Sequence, residues 1–208
     1  LEFRRVLFRS DLPVNADFEG GYAVSPEDLA HNVGRCIETG IAGLSIEDST
    51  SNPQDPLLPL ELATARIAAA RGAIDRAGGE ALLVGRAENF IVGRPELDDT
   101  LRRLRAYAAA GADCLYAPGL RTREQITAVV QAVAPKPVNV LIGSASELTV
   151  ADLAALGVRR ISVGGALARM AWAGFMKASR ELIHSGSFAA FADAASGAEL
   201  NKLFRGPQ

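Results

Sequence analysis

The 208-residue sequence predicts an α/β fold: a (β/α) TIM-type barrel, incomplete at about six of the eight strands such a barrel requires, with a helical C-terminal extension. Three observations predict it. Short apolar runs that end in polar residues recur along the chain. Stretches rich in Ala, Leu and Arg, with apolar residues at helical spacing, separate them. The alternation repeats at intervals of roughly 25–40 residues, the pattern of βα units on a parallel sheet. Polar residues at the C-terminal ends of several different strands favour a barrel over an open sheet, because a barrel's site is assembled from those ends.

The elements follow in order. The first strand runs through Leu12-Pro-Val-Asn-Ala-Asp17 and breaks at Gly20 and Gly21. Strand side chains alternate, so Asn15 and Asp17 face one side while Val14 and Ala16 face the other. The second strand, 43–48, ends in Glu47 and Asp48, and the third, 82–86, ends in Arg86. The fourth, 113–118, contains Cys114 and Tyr116, the fifth, 137–142, contains Asn139, and the sixth is 160–165. Gly40, Gly78, Gly111 and Gly157 each precede a strand, as helix-stopping glycines do. A helix is expected over 98–110, with Leu101, Leu104 and Tyr107 on one face and Arg102, Arg103 and Arg105 mostly opposite. Gly164 and Gly165 could cradle a phosphate at a strand-to-helix turn, or simply permit tight packing, which is the preferred reading. The stretch 169–177 is apolar around much of its circumference, which requires burial against its own barrel or a partner subunit.

The organisation expected is a non-native segment over 1–10, a partial barrel over 11–186 and a helical extension over 187–208. Residues 1–10 hold three arginines and no Ala or Gly, unlike the rest of the chain, and read as foreign sequence standing in for the first two βα units. A barrel so shortened is expected to be poorly soluble and inactive as given, because open sheet edges invite improvised pairing. Hydrophobic residues make up 49% of the chain and the net charge is −2. That excludes a basic nucleic-acid footprint, and no run approaches the roughly 20 apolar residues of a membrane span. Two cysteines imply no disulfide framework, so the reducing cytoplasm is the default compartment.

The chemistry emerges by elimination. A Schiff-base mechanism on a barrel needs a lysine at a strand's C-terminal end. Lys136 precedes its strand, and Lys177 and Lys202 fall in the helical C-terminal region. His31 and His184 lie in helix-like stretches and form no familiar zinc spacing with Cys36 or Cys114. Cys114 alternates within a strand as a small core residue. What remains is oxygen ligands and one arginine. Asp17, Glu47 and, as a further candidate, Glu88 are hard carboxylates suited to Mg²⁺ or Mn²⁺. Arg86 offers a planar fork for a substrate carboxylate. A divalent ion beside an arginine can hold a 2-oxo acid and stabilise its enolate. The same residues would equally form a buried ion pair tying strands together.

Asn15-Ala-Asp17-Phe-Glu-Gly-Gly-Tyr22, Ser45-Ile-Glu-Asp48 and Gly85-Arg-Ala-Glu-Asn89 resemble the successive strand-end motifs of the isocitrate lyase / phosphoenolpyruvate mutase family. Leu115-Tyr-Ala-Pro-Gly119, Lys136-Pro-Val-Asn-Val140 and Arg160-Ile-Ser-Val-Gly-Gly165 resemble its later strands. The resemblance implies a Mg²⁺-binding (β/α) barrel that makes or breaks a C–C or P–C bond next to a pyruvate enolate. It implies metal binding by Asp17 and Glu47 and a catalytic role for Glu47. Arg86 would be both catalytic and substrate-binding, with Asn15 and Asn139 also contacting substrate. It implies a homo-oligomer, a dimer or tetramer formed by helix exchange.

Three departures qualify the likeness. Asn15 stands where many members have a metal-touching aspartate. The loop 49–58 carries neither the cysteine signature of the isocitrate and methylisocitrate lyases nor the lysine of phosphonopyruvate-processing members. The Ser-Gly loop and second-strand aspartate of the family have no counterpart. The function expected is a Mg²⁺-dependent lyase breaking or making a C–C bond in a small 2-oxo or 2-hydroxy acid, such as an oxaloacetate-like or alkylmalate-like acid. The alternatives are P–C bond chemistry and a non-catalytic barrel that binds small acids.

Overall fold

The computed structural model describes residues 11–205. The segment 1–10 read above as foreign lies outside the described residues. The chain divides into two compact units, residues 1–162 and 163–208.

In the first unit six strands form one sheet: β1 (Asn15–Asp17), β2 (Gly43–Glu47), β3 (Leu82–Arg86), β4 (Cys114–Tyr116), β5 (Val138–Leu141) and β6 (Arg160–Ser162). Their spatial order is their chain order and every pairing is parallel. Helices α1 (Pro26–Ile37), α2 (Leu60–Arg76), α3 (Leu97–Ala109), α4 (Arg123–Val133) and α5 (Val150–Ala155) make the crossovers. This is the curled part-barrel that the alternation predicts.

Period-2 alternation sorts the strands into two chemically different faces. Ala16, Leu44, Ile46, Leu83, Leu115, Val138 and Val140 join the main core with the inward faces of the helices, including Leu29, Ile67, Ile74, Leu104, Ile126 and Leu153. The opposite face carries the polar residues around a small cluster of Val84, Cys114 and Tyr116, with Leu141 packed against it. Gly85 faces the core side, where a Cβ would meet Tyr107 Cβ at 3.0 Å and Ala112 Cβ at 3.1 Å. A glycine here lets α3 approach β3 closely. Three helix starts in this unit are set by side chains: Ser25 accepts from Asp28 N, while Thr122 with Gln125 and Thr149 with Asp152 form capping boxes; a third such box starts the helix at Gly197.

The helix expected at 98–110 spans Leu97–Ala109, but its arginines divide differently from the expectation. Arg103 is buried rather than on the open face. It lies four residues after Asp99 and four before Tyr107, on the helix flank shared with both, and a buried carboxylate holds it there.

In the second unit, α6 (Ala166–Ser185) ends at the left-handed Gly186 and is followed by a 3₁₀ turn, Ala189–Asp193, and α7 (Gly197–Phe204). Leu167, Met170, Trp172 and Phe175 of α6 are exposed in the single chain, where the sequence requires burial. Trp172 and Phe175 meet edge to face with centroids 5.5 Å apart.

Both cysteines are free and buried. Burial pushes the Cys36 thiol up to about 11 and also raises Cys114. Neither thiol should react with a disulfide reagent in the native chain at pH 8, and both should react after denaturation. Native labelling of Cys114 would show that the small cluster on the polar face is open.

Candidate active site

Parallel pairing lays Glu47 beside Arg86, Arg86 beside Tyr116 and Tyr116 beside Asn139, one continuous row across four strands. Neighbouring strands lie about 4.8 Å apart, close enough for Glu47 to reach Arg86 and Arg86 to reach Tyr116. Arg86 Nη1 stands 3.2 Å from Glu47 Oε2 and 3.2 Å from Asp17 Oδ1. Its Nε donates to Glu88 Oε1. Its guanidinium lies over the Tyr116 ring, Cζ 5.2 Å from the centroid. Nη2 has no acceptor among the described residues.

The carboxylates are themselves held. Ser45 Oγ donates to Asp17 Oδ1 at 3.2 Å, and Ser49 Oγ donates to Glu47 Oε1 at 2.7 Å. Asp17 is nonetheless 71% exposed at its side chain, whereas Glu88 is buried. Burial by itself would lower Arg86, but the bond to Glu88 and the charge of Glu47 carry its pKa above the usual value. Burial raises the Glu88 carboxyl, and the same bond opposes that rise. Burial raises the Tyr116 phenol, with the Arg86 charge opposing that rise.

The structure brings Asp17, Glu47 and Arg86 together and adds Glu88 to them. Asn139 is fully buried two strands from Arg86; its Nδ2 donates to Ser162 Oγ at 3.0 Å, and its Oδ1 has no partner among the described residues. Asn15 pairs with Gly43, deeper along the strands, and touches none of the Arg86 cluster; its Nδ2 donates to Ala16 O at 3.3 Å. Sequence reasoning passed over Tyr116, Ser45 and Ser49. Alternation would have found the first two, since Ser45 and Glu47, and Cys114 and Tyr116, are two residues apart on one face.

Three carboxylates around one guanidinium leave the cluster negative, and its donors are all oxygen. Among the described residues, no group of three His, Cys, Asp or Glu side chains could cage a metal ion by itself. The donor set therefore fits an ion that binds through one or two carboxylates and takes its remaining ligands from water and substrate, as Mg²⁺ does.

A second network lies behind the first. Glu47 faces the polar side, so Asp48 faces α3, where it is almost fully buried. Its Oδ1 accepts from Glu88 N at 2.8 Å, and its Oδ2 accepts from Arg103 Nη1 at 3.1 Å and from the Tyr107 hydroxyl. Burial raises Asp48, with Tyr107, Glu88 N and Arg103 pulling the other way. Arg103 also donates to Leu58 O at 2.9 Å and to Asp99 Oδ2 at 2.7 Å. Leu58 N donates back to Asp48 O at 2.8 Å, closing the base of the loop after β2. Asp48 thus fixes two neighbours of the site at once, the Glu88 backbone and the loop that carries Ser49.

The family model for phosphoenolpyruvate phosphomutase matches residues 2–183. An oxaloacetate decarboxylase of Rhodopseudomonas palustris (strain BisB5) is 34% identical over 176 residues, covering 79% of this chain and 56% of that protein. The chain spans about half the length of the curated relatives it matches. Among solved structures, a candidate lyase/mutase from Burkholderia cenocepacia J2315 superposes with a TM-score of 0.89 at 42% identity, over 95% of this chain and 71% of that one. An oxaloacetate acetylhydrolase bound to oxalate superposes with a TM-score of 0.78 at 26% identity, over 92% of this chain and 66% of that one.

Removing one partner of the Asp48 network leaves a buried charge uncompensated. Arg103→Met should cost about 3–5 kcal/mol in urea unfolding. Tyr107→Phe, which deletes one donor, should cost about 1–3 kcal/mol. An Arg103→Met chain as stable as the parent would mean that Asp48 is not charged in the folded state.

Proposed function

The chain belongs to the phosphoenolpyruvate phosphomutase family, and from that premise we propose a lyase that breaks or makes a C–C bond next to a pyruvate-like enolate in a small 2-oxo or 2-hydroxy acid of the oxaloacetate class. The observation that carries this reading is Arg86 with its Nη2 uncommitted, set among Asp17, Glu47 and Glu88 at the C-terminal ends of β1–β3. Arg86 is the residue that binds the substrate carboxylate. Its Nε and Nη1 are occupied by carboxylates and its face by Tyr116, so the guanidinium plane is fixed before substrate arrives, and the two Nη2 protons remain to donate.

Asp17 and Glu47 are the residues that would hold the cation. Members of the superfamily are generally divalent-metal dependent. Mg²⁺, or Mn²⁺, bound there supplies Lewis-acid stabilisation of the negative charge that develops on the enolate oxygen. Ser49 orients Glu47, and Ser45 orients Asp17. In decarboxylation of an oxaloacetate-like acid the C3–C4 bond breaks, CO₂ leaves and the electron pair passes into the enolate. Protonation at C3 then gives the 2-oxo acid product. The loop after Glu47 offers neither thiol nor amine over residues 49–58, which suits bond cleavage by charge stabilisation alone. Asn139 and, one layer deeper, Asn15 complete the polar face as substrate-side residues. P–C bond chemistry is the second reading, favoured by the family model that matches, with the missing lysine in that loop weighing against it.

The exposed Leu167, Met170, Trp172 and Phe175 support a homo-oligomer, a dimer or tetramer in which α6 is covered by a neighbouring copy. Free buried cysteines support a reducing, cytoplasmic setting. No described helix is long and apolar enough to cross a membrane.

The test is a pyruvate-coupled assay over a panel of 2-oxo and 2-hydroxy acids with Mg²⁺, read beside thermal unfolding with oxalate, an enolate mimic. Oxalate should raise the melting temperature only when Mg²⁺ is present. Arg86→Lys keeps the charge but loses the fork, and should cut kcat/KM by about 100-fold. Unchanged turnover in that variant would remove Arg86 from the mechanism. Mg²⁺-dependent oxalate binding without turnover on any acid would make the protein an acid-binding barrel.

A further inference from the structure

The turn after Asp17 is strained and clamped. Two residues that are not glycine, Glu19 (φ 49) and Tyr22 (φ 55), hold left-handed backbone conformations within four positions of each other. Such conformations cost of order 1–3 kcal/mol each and persist only where surrounding structure enforces them. The enforcing group is Arg66 of α2. Arg66 is 2% exposed and pairs with no carboxylate among the described residues. It donates to three backbone carbonyls of this turn: Nη2 to Gly20 O, and Nη1 to Ala23 O and to Val24 O, the last at 2.8 Å. A buried cation satisfied only by carbonyls is an expensive way to hold a turn, so what the turn holds matters.

It holds the two metal-side strand ends together. Glu47 N donates to Glu19 O at 3.0 Å, a bond that lies beyond the ladder between β1 and β2. The turn is further braced by Gly21 N to Phe18 O at 2.8 Å, by Asn32 Nδ2 to Gly21 O at 2.9 Å, and by Tyr22 packed edge-on against Phe18 at 5.3 Å. At Gly21 (φ 69) a Cβ would meet Leu29 Cδ1 at 2.9 Å, so the turn has no room to relax toward α1.

We propose that Arg66 is a positioning residue of the active site: by clamping residues 20–24 it forces the strained Glu19 carbonyl onto the Glu47 backbone and so sets the spacing of the Asp17 and Glu47 carboxylates. It touches neither substrate nor cation and acts only through the turn. The inference rests on the reading of Asp17 and Glu47 as the cation-holding pair. Partners one shell away from metal ligands typically change metal affinity by roughly 10–100-fold when removed.

The test uses Arg66→Lys, which keeps the charge but cannot span three carbonyls, and Arg71→Lys as a control on the same helix. Arg71 pairs with Asp75 and Asp113 and touches nothing at the site. Two readouts are taken on the intact chain: amide hydrogen exchange at Glu47 and Gly21, and Mg²⁺-dependent oxalate affinity by calorimetry. Arg66→Lys should speed exchange at both amides by at least about tenfold and weaken oxalate by roughly 10–100-fold. Arg71→Lys should lower the melting temperature while leaving both readouts unchanged. Glu47 exchange unaltered in Arg66→Lys, or altered equally in both variants, overturns the proposal. If the parent chain binds no oxalate with Mg²⁺, the functional reading fails, and exchange at Glu47 alone decides whether Arg66 sets the geometry of this turn.

Discussion

Strand register is the constraint on which everything else in this chain depends. Six short parallel strands pair in chain order, and the pairing Glu47–Arg86–Tyr116–Asn139 puts charged, aromatic and amide groups into one row. A slip of one residue at any strand would send its polar residue into the helix-packed core and its Leu or Ile onto the site face. The core specifies against that slip, because Leu44, Leu83 and Leu115 are fully buried on the other side. Packing energy on one face therefore fixes which side chains the opposite face presents.

Buried charge is the second theme. Besides Glu88 within the Arg86 cluster itself, Arg66, Asp48 and Arg103 are sequestered from water. Such groups contribute little net stability, because desolvation offsets much of their attraction. They specify position. Asp48 ties the Glu88 backbone to α3 and to the base of the loop after β2, and Arg66 ties the turn after β1 to α2. The three carboxylates around Arg86 thus stand on backbone pinned from behind by charged groups that never reach the site. Rigid support of this kind lets three like-charged carboxylates stay close together around one guanidinium.

The fold, and the gathering of Asp17, Glu47 and Arg86 into one candidate site, were largely legible in the chain itself. Apolar runs ending in Asp17, Glu47 and Arg86, each followed by a helical stretch, already imply strand ends gathered at one end of a parallel sheet. Tyr116 and Ser45 were equally available from alternation, although nothing about a tyrosine or serine in isolation singles it out. Arg103 and Arg66 were not legible. In helix sequences rich in arginine, a buried guanidinium and a solvated one look alike, since what separates them is a carboxylate or a carbonyl that the chain supplies from 40 or more residues away. The apolar circumference of α6 was legible as a demand for burial, whereas Trp172 and Phe175 are exposed in the single chain.

By itself, then, the sequence determined the βα alternation, the side of each strand that carries chemistry, and the hard-oxygen character of the donors, because these follow from local periodicity and from what each side chain can bind. Only the tertiary structure decided which carboxylates share Arg86, that Asn15 lies one layer too deep to join them, and that two buried arginines hold the backbone beneath the site. Those facts depend on register and on long-range hydrogen bonds, which arise when the chain closes on itself and carry no trace in any short stretch of it.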